Sequence, residues 1–316
     1  MSANFSLTVE EAAQLLKISK YTLYELIKKG EIPAQRIGRQ LRLDRDVLEN
    51  FLRGAGPLPE VTSHSRGQSY AQSQGIIQTG EVFERIRFAG SHDPVVELLL
   101  EFGSHASLKM ETSFVGSMEG LIALYRKEAD LAGVHLWDDK TEEYNLPYVE
   151  YILPGEQVEL VNLVQRVQGW IVPAGNPLGL KAWEDLGRKG LRFVNRQKGS
   201  GTRLRIDSFL RQAKLSPAGI SGYSTEESTH YGVAYRVASG EADAGIGVQA
   251  AADRVGLDFV PLFHERYDLV GRLPFTSGEE WHRLLSILST PVFQKAVQRL
   301  VGYDTSLTGK IMSSRD

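Results

Sequence analysis

The 316-residue chain contains no cysteine. That excludes disulfides and thiolate metal sites and suits a reducing compartment. No apolar run is long enough to span a bilayer. Met1 to Thr8 has no basic region followed by an apolar core, so no signal peptide is expected. The expectation is a cytoplasmic protein without a membrane partner. The Gly-x-x-x-x-Gly-Lys-Ser/Thr, Gly-x-Ser-x-Gly and His-Glu-x-x-His patterns are all missing. Phosphate-loop, serine-hydrolase and zinc-protease chemistry therefore have no motif here. Net charge is also scarce, at −3, but it is unevenly placed. Between Lys17 and Arg45 there are eight Lys/Arg against three Asp/Glu, which leaves the rest of the chain acidic. A basic module on an acidic body suggests that one end meets a polyanion.

What is present is sharpest at Phe193-Val-Asn-Arg-Gln-Lys-Gly-Ser-Gly-Thr-Arg203. An apolar strand end meets an arginine, then a Gly-Ser-Gly-Thr turn, then a helical pattern from Leu204 to Lys214. Helix-start N–H groups lack intrahelical partners and carry positive partial charge. Gly201 lets backbone approach a ligand, and the Ser200 and Thr202 hydroxyls can donate. Arg196 and Arg203 can supply charge in a planar fork. The same residues also make an ordinary helix cap after a βα turn, and the motif alone does not separate the two.

The N-terminal stretch, Leu7 to Leu52, forms a unit of its own. Thr8 and Glu11 have capping-box spacing and open a first helix. A second helix spans Tyr21 to Lys29 and stops at Gly30. Gln35 to Leu43 alternates polar and apolar around Gly38, as a hairpin does. Asp44 caps a third helix. The second helix presents Lys20, Thr22, Tyr24 and Lys28 outward, in position for a major groove. Arg36, Arg39 and Arg42 on the hairpin can grip phosphates. A helical protein-interaction module with a solvated basic face is the competing interpretation. Residues 54–83 are rich in Gly, Pro, Ser and Gln and suit a linker, although Ser65 to Gly75 could form a helix that joins units or subunits.

From Glu84 onward strands alternate with helices, an α/β pattern with parallel sheets. Strands are expected at Ile86–Ala89, Leu108–Phe114, Asp130–Val134, Leu191–Val194, Ala242–Ile246 and Phe259–Leu262. Two extended segments are expected at Val158–Val167 and Gln168–Pro173. Helices are expected at Pro94–Phe102, Met118–Lys127 and Ser228–Ser239. Ligands of open α/β sheets bind at strand carboxyl ends. Four such ends carry hydroxyls before a helix: Ser91, Gly116-Ser117, Ser200 to Thr202, and Thr229. Each alone is usually a cap; the recurrence with glycines favours an anion seat.

The run Leu-Thr-Val-Glu-Glu-Ala-Ala-Gln-Leu-Leu through Ile-Pro-Ala-Gln-Arg-Ile-Gly-Arg-Gln-Leu-Arg resembles the excisionase-type DNA-binding domain, a relative of the MerR-type winged helix. Residues 84–316 resemble the type II periplasmic-binding-protein fold found behind helix-turn-helix domains. That resemblance rests on Gly116-Ser-Met-Glu-Gly-Leu121, Ala129-Asp-Leu-Ala-Gly-Val-His-Leu136, the turn motif, and Gly240-Glu-Ala-Asp-Ala-Gly245. The motif itself is similar to the Phe-Val-Ser-Arg-(three residues)-Ser-Gly-Thr signature of tungstate-binding proteins. The resemblance implies oxyanion contacts from Arg196 and Thr202, and first- and second-loop contacts from Ser91 and Ser117. Asn195 stands where that signature has serine, and Lys198 where it has an acid, which puts the choice of anion in question.

The implied architecture is a winged helix-turn-helix at residues 1–53, a linker at 54–83, and a two-lobed domain at 84–316. Lobe one covers about 84–166 and 266–316, and lobe two about 167–265. The chain should cross between lobes near Leu163–Gly169 and Pro261–Leu269. Tyr267, His135 and His230 are placed to line the cleft, or to pack as structural side chains.

The implied function is a one-component transcription regulator, a homodimer or larger symmetric assembly on double-stranded DNA, sensing a small oxyanion. Tungstate or molybdate is the expected ligand, with no cofactor and no metal cation. The alternatives are a larger ligand such as the molybdenum cofactor, a non-regulatory oxyanion-binding protein, and an enzyme built on Ser91-His92-Asp93. The last is disfavoured because adjacent residues point different ways. If Arg39 contacts phosphate, Arg39→Ala weakens DNA binding and flattens its salt dependence, to be checked by gel shifts at several salt concentrations.

Overall fold

The computed structural model describes residues 6–9, 11–12, 34–37, 40–44 and 85–314. The chain divides into two units, Met1–Gly75 and Ile76–Asp316. The expectations for Lys20, Thr22, Tyr24, Lys28 and Arg39, and for residues 54–83, lie outside the described residues.

In the first unit, strands β1 (Ser6–Thr8), β2 (Gln35–Ile37) and β3 (Gln40–Asp44) form an antiparallel sheet in the order β1-β3-β2. β2 and β3 are the hairpin expected from the alternation, with Arg36 opposite Leu41 and Arg42 opposite Gln35. β1 is an additional strand, pairing Thr8 with Arg42. The Thr8–Glu11 box is formed: the Thr8 N–H and hydroxyl donate to Glu11 Oε2 at 2.8 and 2.9 Å, and the Glu11 N–H donates back to Thr8 Oγ1 at 3.2 Å. Val9, Ala12 and Leu43 are buried.

The second unit begins with β4 (Ile86–Gly90), α1 (Pro94–His105), β5 (Met110–Ser113), α2 (Ser117–Tyr125) and β6 (Leu131–Val134). A small hairpin of β7 (Trp137–Asp138) and β8 (Glu143–Tyr144) and helix α3 (Leu146–Ile152) lead into β9 (Val158–Val172). Then come β10 (Phe193–Arg196), α4 (Gly201–Gln212), β11 (Glu226–Glu227), α5 (His230–Ala238), β12 (Ala244–Val248) and α6 (Gln249–Arg254). β13 (Asp258–Arg272) returns the chain to α7 (Glu279–Ser289), α8 (Pro291–Val297), β14 (Tyr303–Asp304) and β15 (Ile311–Ser314). The main sheet runs β11-β10-β12-β9-β13-β6-β4-β5, with β14 and β15 also on β9.

Two corrections to the sequence expectations concern β9 and β13. Val158–Val167 and Gln168–Pro173 are one 15-residue strand, and Phe259–Leu262 is the start of another. The sheet is mixed rather than parallel. Strands pair in parallel within each lobe, β4 with β5 and β6, and β10 with β11 and β12. β9 and β13 pair antiparallel along their whole length. This ribbon carries lobe two at one end, where β12 pairs with Gln168 to Ile171. It carries lobe one at the other, where β6 pairs with Asp268 to Gly271 and β15 with Glu159 to Val161. Burial on both sides in mid-ribbon explains why alternation was hard to see there.

The register slips between Pro261 and Phe263 and again between Tyr267 and Asp268. Such irregularities re-aim side chains and occur beside functional sites. Here they bracket the segment carrying Glu265 and Tyr267, with Glu265 directly opposite Arg166.

The largest apolar cluster runs from Phe88 and Leu99 of lobe one through Val164 and Ile171 of the ribbon to Val194 and Val233 of lobe two, and each lobe adds a smaller one. Leu121, Leu124, Leu136, Val149 and Leu160 pack in lobe one, and Trp170, Phe193, Ile206, Leu210 and Ile246 in lobe two. A buried polar pin ties lobe one to the ribbon. Asn145 accepts from the Leu136 N–H at 2.6 Å and donates to Asp268 at 2.8 Å; Asn162 and Arg266 complete the carboxylate's partners at 2.9 and 2.8 Å. Losing one donor to a buried carboxylate costs about 1–3 kcal/mol. Asn145→Ala should lower unfolding stability by that amount in urea denaturation, without changing the secondary structure seen by circular dichroism.

Candidate functional site

Four loop–helix junctions of the second unit meet where the lobes face each other. In lobe one, Ser91 follows β4 and Ser117 opens α2. Their hydroxyls lie 3.0 Å apart, and Ser117 Oγ also accepts from the His135 N–H at 3.1 Å. Gly116, before Ser117, has φ +100°, and a Cβ there would sit 3.1 Å from the Gly199 carbonyl of lobe two. The Met118 N–H donates to that same carbonyl at 3.1 Å, so the lobes are in hydrogen-bond contact at this rim. Gly201, the first residue of α4, lies so close to lobe one that a Cβ would meet the His135 carbonyl at 2.1 Å.

In lobe two, α4 begins at Gly201, three residues before the expected Leu204, because Ser200 caps it. The Ser200 hydroxyl accepts from the Arg203 N–H at 3.3 Å. Thr229 likewise caps α5, accepting from Gly232 at 2.9 Å. Thr202 instead points across, donating to Gln168 Oε1 on the ribbon at 2.9 Å. Arg203 differs from its expected role. Its guanidinium bonds Asp207 at 3.0 Å and Glu226 at 2.8 Å and stacks over Tyr223 at 4.3 Å. Two carboxylates take up the charge that the sequence assigned to an anion, and the remaining bond, to the Arg196 carbonyl at 3.2 Å, braces β10.

Arg196 makes no such direct ion pair, although the Glu265 and Glu227 charges act on it from further off. It is 1% exposed. Its donors go to neutral acceptors: the Glu227 carbonyl at 3.2 Å, the Ser228 carbonyl at 3.0 Å and His230 Nδ1 at 2.7 Å. Burial, and then the neighbouring Arg166 charge, pull its guanidinium down to about 9, so it is still a cation at neutral pH. Burial and Arg196 together hold the His230 imidazole well below its ordinary range.

A second buried arginine, Arg166 on β9, was not foreseen. It pairs with Asp93 and with Glu265, at 2.9 and 2.7 Å to the latter, and lies over the Tyr267 ring at 4.9 Å. Glu265 also accepts from Gln168 and, at 2.8 Å, from His135 Nδ1. Asp93 in turn caps α1 and accepts from Tyr303 at 2.7 Å. Tyr267 stacks on His135 at 5.5 Å between centroids and donates to the Ser91 carbonyl at 2.5 Å. The neighbours Ser91, His92 and Asp93 thus serve three different partners, since His92 Nε2 bonds Glu97 at 2.8 Å. The signal for Arg166 and Glu265 was available: each is a charge inside an otherwise strand-forming run.

The structure therefore brings together Ser91, Gly116, Ser117, His135, Arg196, Gly201, Thr202 and Tyr267. It uses Ser200, Arg203 and Thr229 to build the surrounding turns. Asn195, in place of the signature serine, donates to the Tyr223 carbonyl at 3.0 Å. Among the described residues no cluster of His, Asp or Glu is arranged to hold a metal cation. No helix among them is long and apolar enough to cross a membrane.

Residues 101–289 match the model of the PBP superfamily domain, and residues 6–56 that of a helix-turn-helix domain. The uncharacterized protein YvgK of Bacillus subtilis (strain 168) is 37% identical over 317 residues, spanning 99% of each chain. Among solved structures, the tungstate ABC transporter protein of Geobacter sulfurreducens aligns with a TM-score of 0.50 at 18% identity, over 68% of this chain and 98% of that one. A phosphate-bound ABC-transporter substrate-binding protein from Clostridium perfringens also aligns with a TM-score of 0.50, at 15% identity, over 68% and 97% of the two chains. At these identities the likeness is one of fold.

The buried network makes stability depend on acid. Burial alone would raise the Glu265 carboxyl, but His135 and Arg166 outweigh it and hold it at about 2, against 4.5 when unfolded. The unfolded chain therefore binds this proton first as pH falls. The contribution of Glu265 is complete above about 4.5 and is lost as pH drops toward 2. Glu265→Gln should be less stable at neutral pH yet show a flatter loss of stability across that window. Urea unfolding at a series of acid pH values measures both, and equal slopes would contradict this account.

Proposed function

The chain belongs to the PBP superfamily, and we propose that it is a DNA-binding transcription regulator whose second unit senses a small tetrahedral oxyanion, tungstate or molybdate. The observation that carries this is Arg196. A buried guanidinium bonded to neutral acceptors alone is costly, and an anion beside it removes that cost. It is held in place by the Glu227 and Ser228 carbonyls and His230, which leaves the second N–H of Nη1 and of Nη2 to donate to a ligand.

Donors from both lobes complete the seat. Ser91 and Ser117 currently bond each other, and Thr202 bonds Gln168. Hydroxyls rotate freely enough to redirect those protons to an incoming oxyanion. Charge-assisted bonds of this kind are the stronger ones. An anion held from both sides favours the closed arrangement of the lobes, since a ligand shifts an equilibrium by its differential affinity for the two states. The preference for tungstate or molybdate over phosphate rests on the spacing of Arg196 and Thr202. The helix-turn-helix domain makes DNA the partner through which closure is read, in a symmetric assembly on paired half-sites and in the cytoplasm.

A thermal-shift screen of tungstate, molybdate, sulfate and phosphate tests the reading directly, because a ligand that binds only the native state raises Tm. Arg196→Gln removes charge-assisted bonds worth about 1.5–3 kcal/mol and should weaken oxyanion affinity by one to two orders of magnitude. Gly201→Ala should weaken it as well by holding the lobes apart at His135. Neither substitution touches the basic module, so both should leave ligand-free DNA binding intact. Oxyanion titrations of the two variants that match the wild type would sink the site assignment.

A further inference from the structure

Three buried imidazoles of the second unit each use one ring nitrogen and leave the other without a partner: His92 Nδ1, His135 Nε2 and His230 Nε2. Buried polar atoms are nearly always bonded, so each such atom calls for an explanation. Building on the oxyanion reading above, we infer that His230 and His135 contact the anion directly and by different means. His230 acts as a fixed neutral donor, and His135 as a donor only after it takes up a proton, so that binding of a fully ionised dianion is coupled to proton uptake.

Hydrogen-bond bookkeeping leads to this division. An arginine has donors only, so the 2.7 Å bond from Arg196 Nη1 requires His230 Nδ1 to accept. The proton of the neutral ring is then on Nε2, which is buried and points an N–H at no protein acceptor. Its neighbours oppose a second proton, since Arg196, Arg166, His135 and His92 all act against positive charge there. His230 is thus a donor at every pH where the site is folded.

His135 is wired the other way. Its Nδ1 faces Glu265 Oε1 at 2.8 Å, and the carboxylate can only accept, so the Nδ1 proton is committed. In the neutral ring Nε2 carries a lone pair. Tungstate and molybdate, fully ionised near neutral pH, offer only acceptor oxygens, and a lone pair facing them is repelled. Protonation turns Nε2 into a charged donor. Glu265 favours the imidazolium, and Tyr267 stacks on it without charge. The start of α4 at Gly201, and Arg166 on the other oxygen of the same carboxylate, oppose it. A dianion beside Nε2 requires a donor there and so favours the protonated ring. An anion carrying its own hydroxyl could instead donate to neutral His135, with no proton taken up.

Calorimetric titration of the full-length protein with sodium molybdate, in buffers of different ionisation enthalpy and from neutral to alkaline pH, tests this. The wild type should show buffer-dependent heats corresponding to uptake approaching one proton at alkaline pH. Its affinity should fall there by up to about tenfold per pH unit. In His135→Gln the amide nitrogen replaces Nε2 with a donor that does not titrate, so binding should persist with pH-independent affinity and no proton uptake. Wild-type heats that are independent of buffer, or uptake retained in His135→Gln, would overturn the inference while leaving oxyanion sensing in place. Failure of the folded wild type to bind molybdate or tungstate at any pH would remove the oxyanion reading, and this inference with it.

Discussion

The buried guanidinium of Arg196 is the constraint around which lobe two is arranged. Placing a cation in the interior is costly, and the fold meets that cost only with neutral acceptors. The acceptors come from the turn before α5, which puts β10, β11 and α5 in one rigid group. Arg203 then supports the carbonyl of Arg196 from beneath while its own charge is matched by Asp207 and Glu226. One arginine is ion-paired and the other is bonded only to neutral acceptors, although both belong to the same eleven-residue motif.

The contrast with Arg166 sharpens the point. Arg166 is as deeply buried, but it sits between Asp93 and Glu265, and Tyr303, Gln168 and His135 fill the remaining valences of those carboxylates. That network joins α1, the ribbon, the β6–β7 turn and the C-terminal segment, so it holds lobe one and the ribbon together. Breaking such a network is expensive because it strands a buried charge. One cation therefore belongs to the framework and the other faces the cleft, though their environments are a few side chains apart.

Much of this was legible before the structure. The four hydroxyl-bearing strand ends stand where the pattern placed them, because a strand stop, a glycine and a helix cap are local signals. The Thr8–Glu11 box and the β2–β3 hairpin were readable for the same reason. Arg203 was misjudged because its neutralising partner Glu226 is remote in sequence and Asp207 looks like an exposed helix residue. Arg166 and Glu265 were missed because their pairing arises across two strands nearly a hundred residues apart; a charge within a strand-forming run marks each residue, but not its partner. The ribbon was read in pieces, divided between Val167 and Gln168 and ended at Leu262, because Gln165, Arg166, Gln168 and the run His264 to Asp268 interrupt the apolar pattern of strands that are continuous in space. Tertiary pairing overrides such punctuation.

The β9–β13 ribbon also bears on how the chain reaches this arrangement. Val172 and Asp258 are cross-strand partners, so everything between them leaves and re-enters lobe one through a single doorway. Lobe two is an excursion whose sheet and core are completed by the near end of the ribbon, through β12 on Gln168 to Ile171 and Trp170 in the core. Joining the two ends of an undocked chain of that length would carry a large loop-closure entropy, whereas an excursion already compact brings its own ends together. Pairings between distant residues form slowly for the same reason. The order favoured by the topology is for lobe two to collapse together with the Gln168–Ile171 end of β9, and for the rest of the ribbon to zip afterwards toward lobe one.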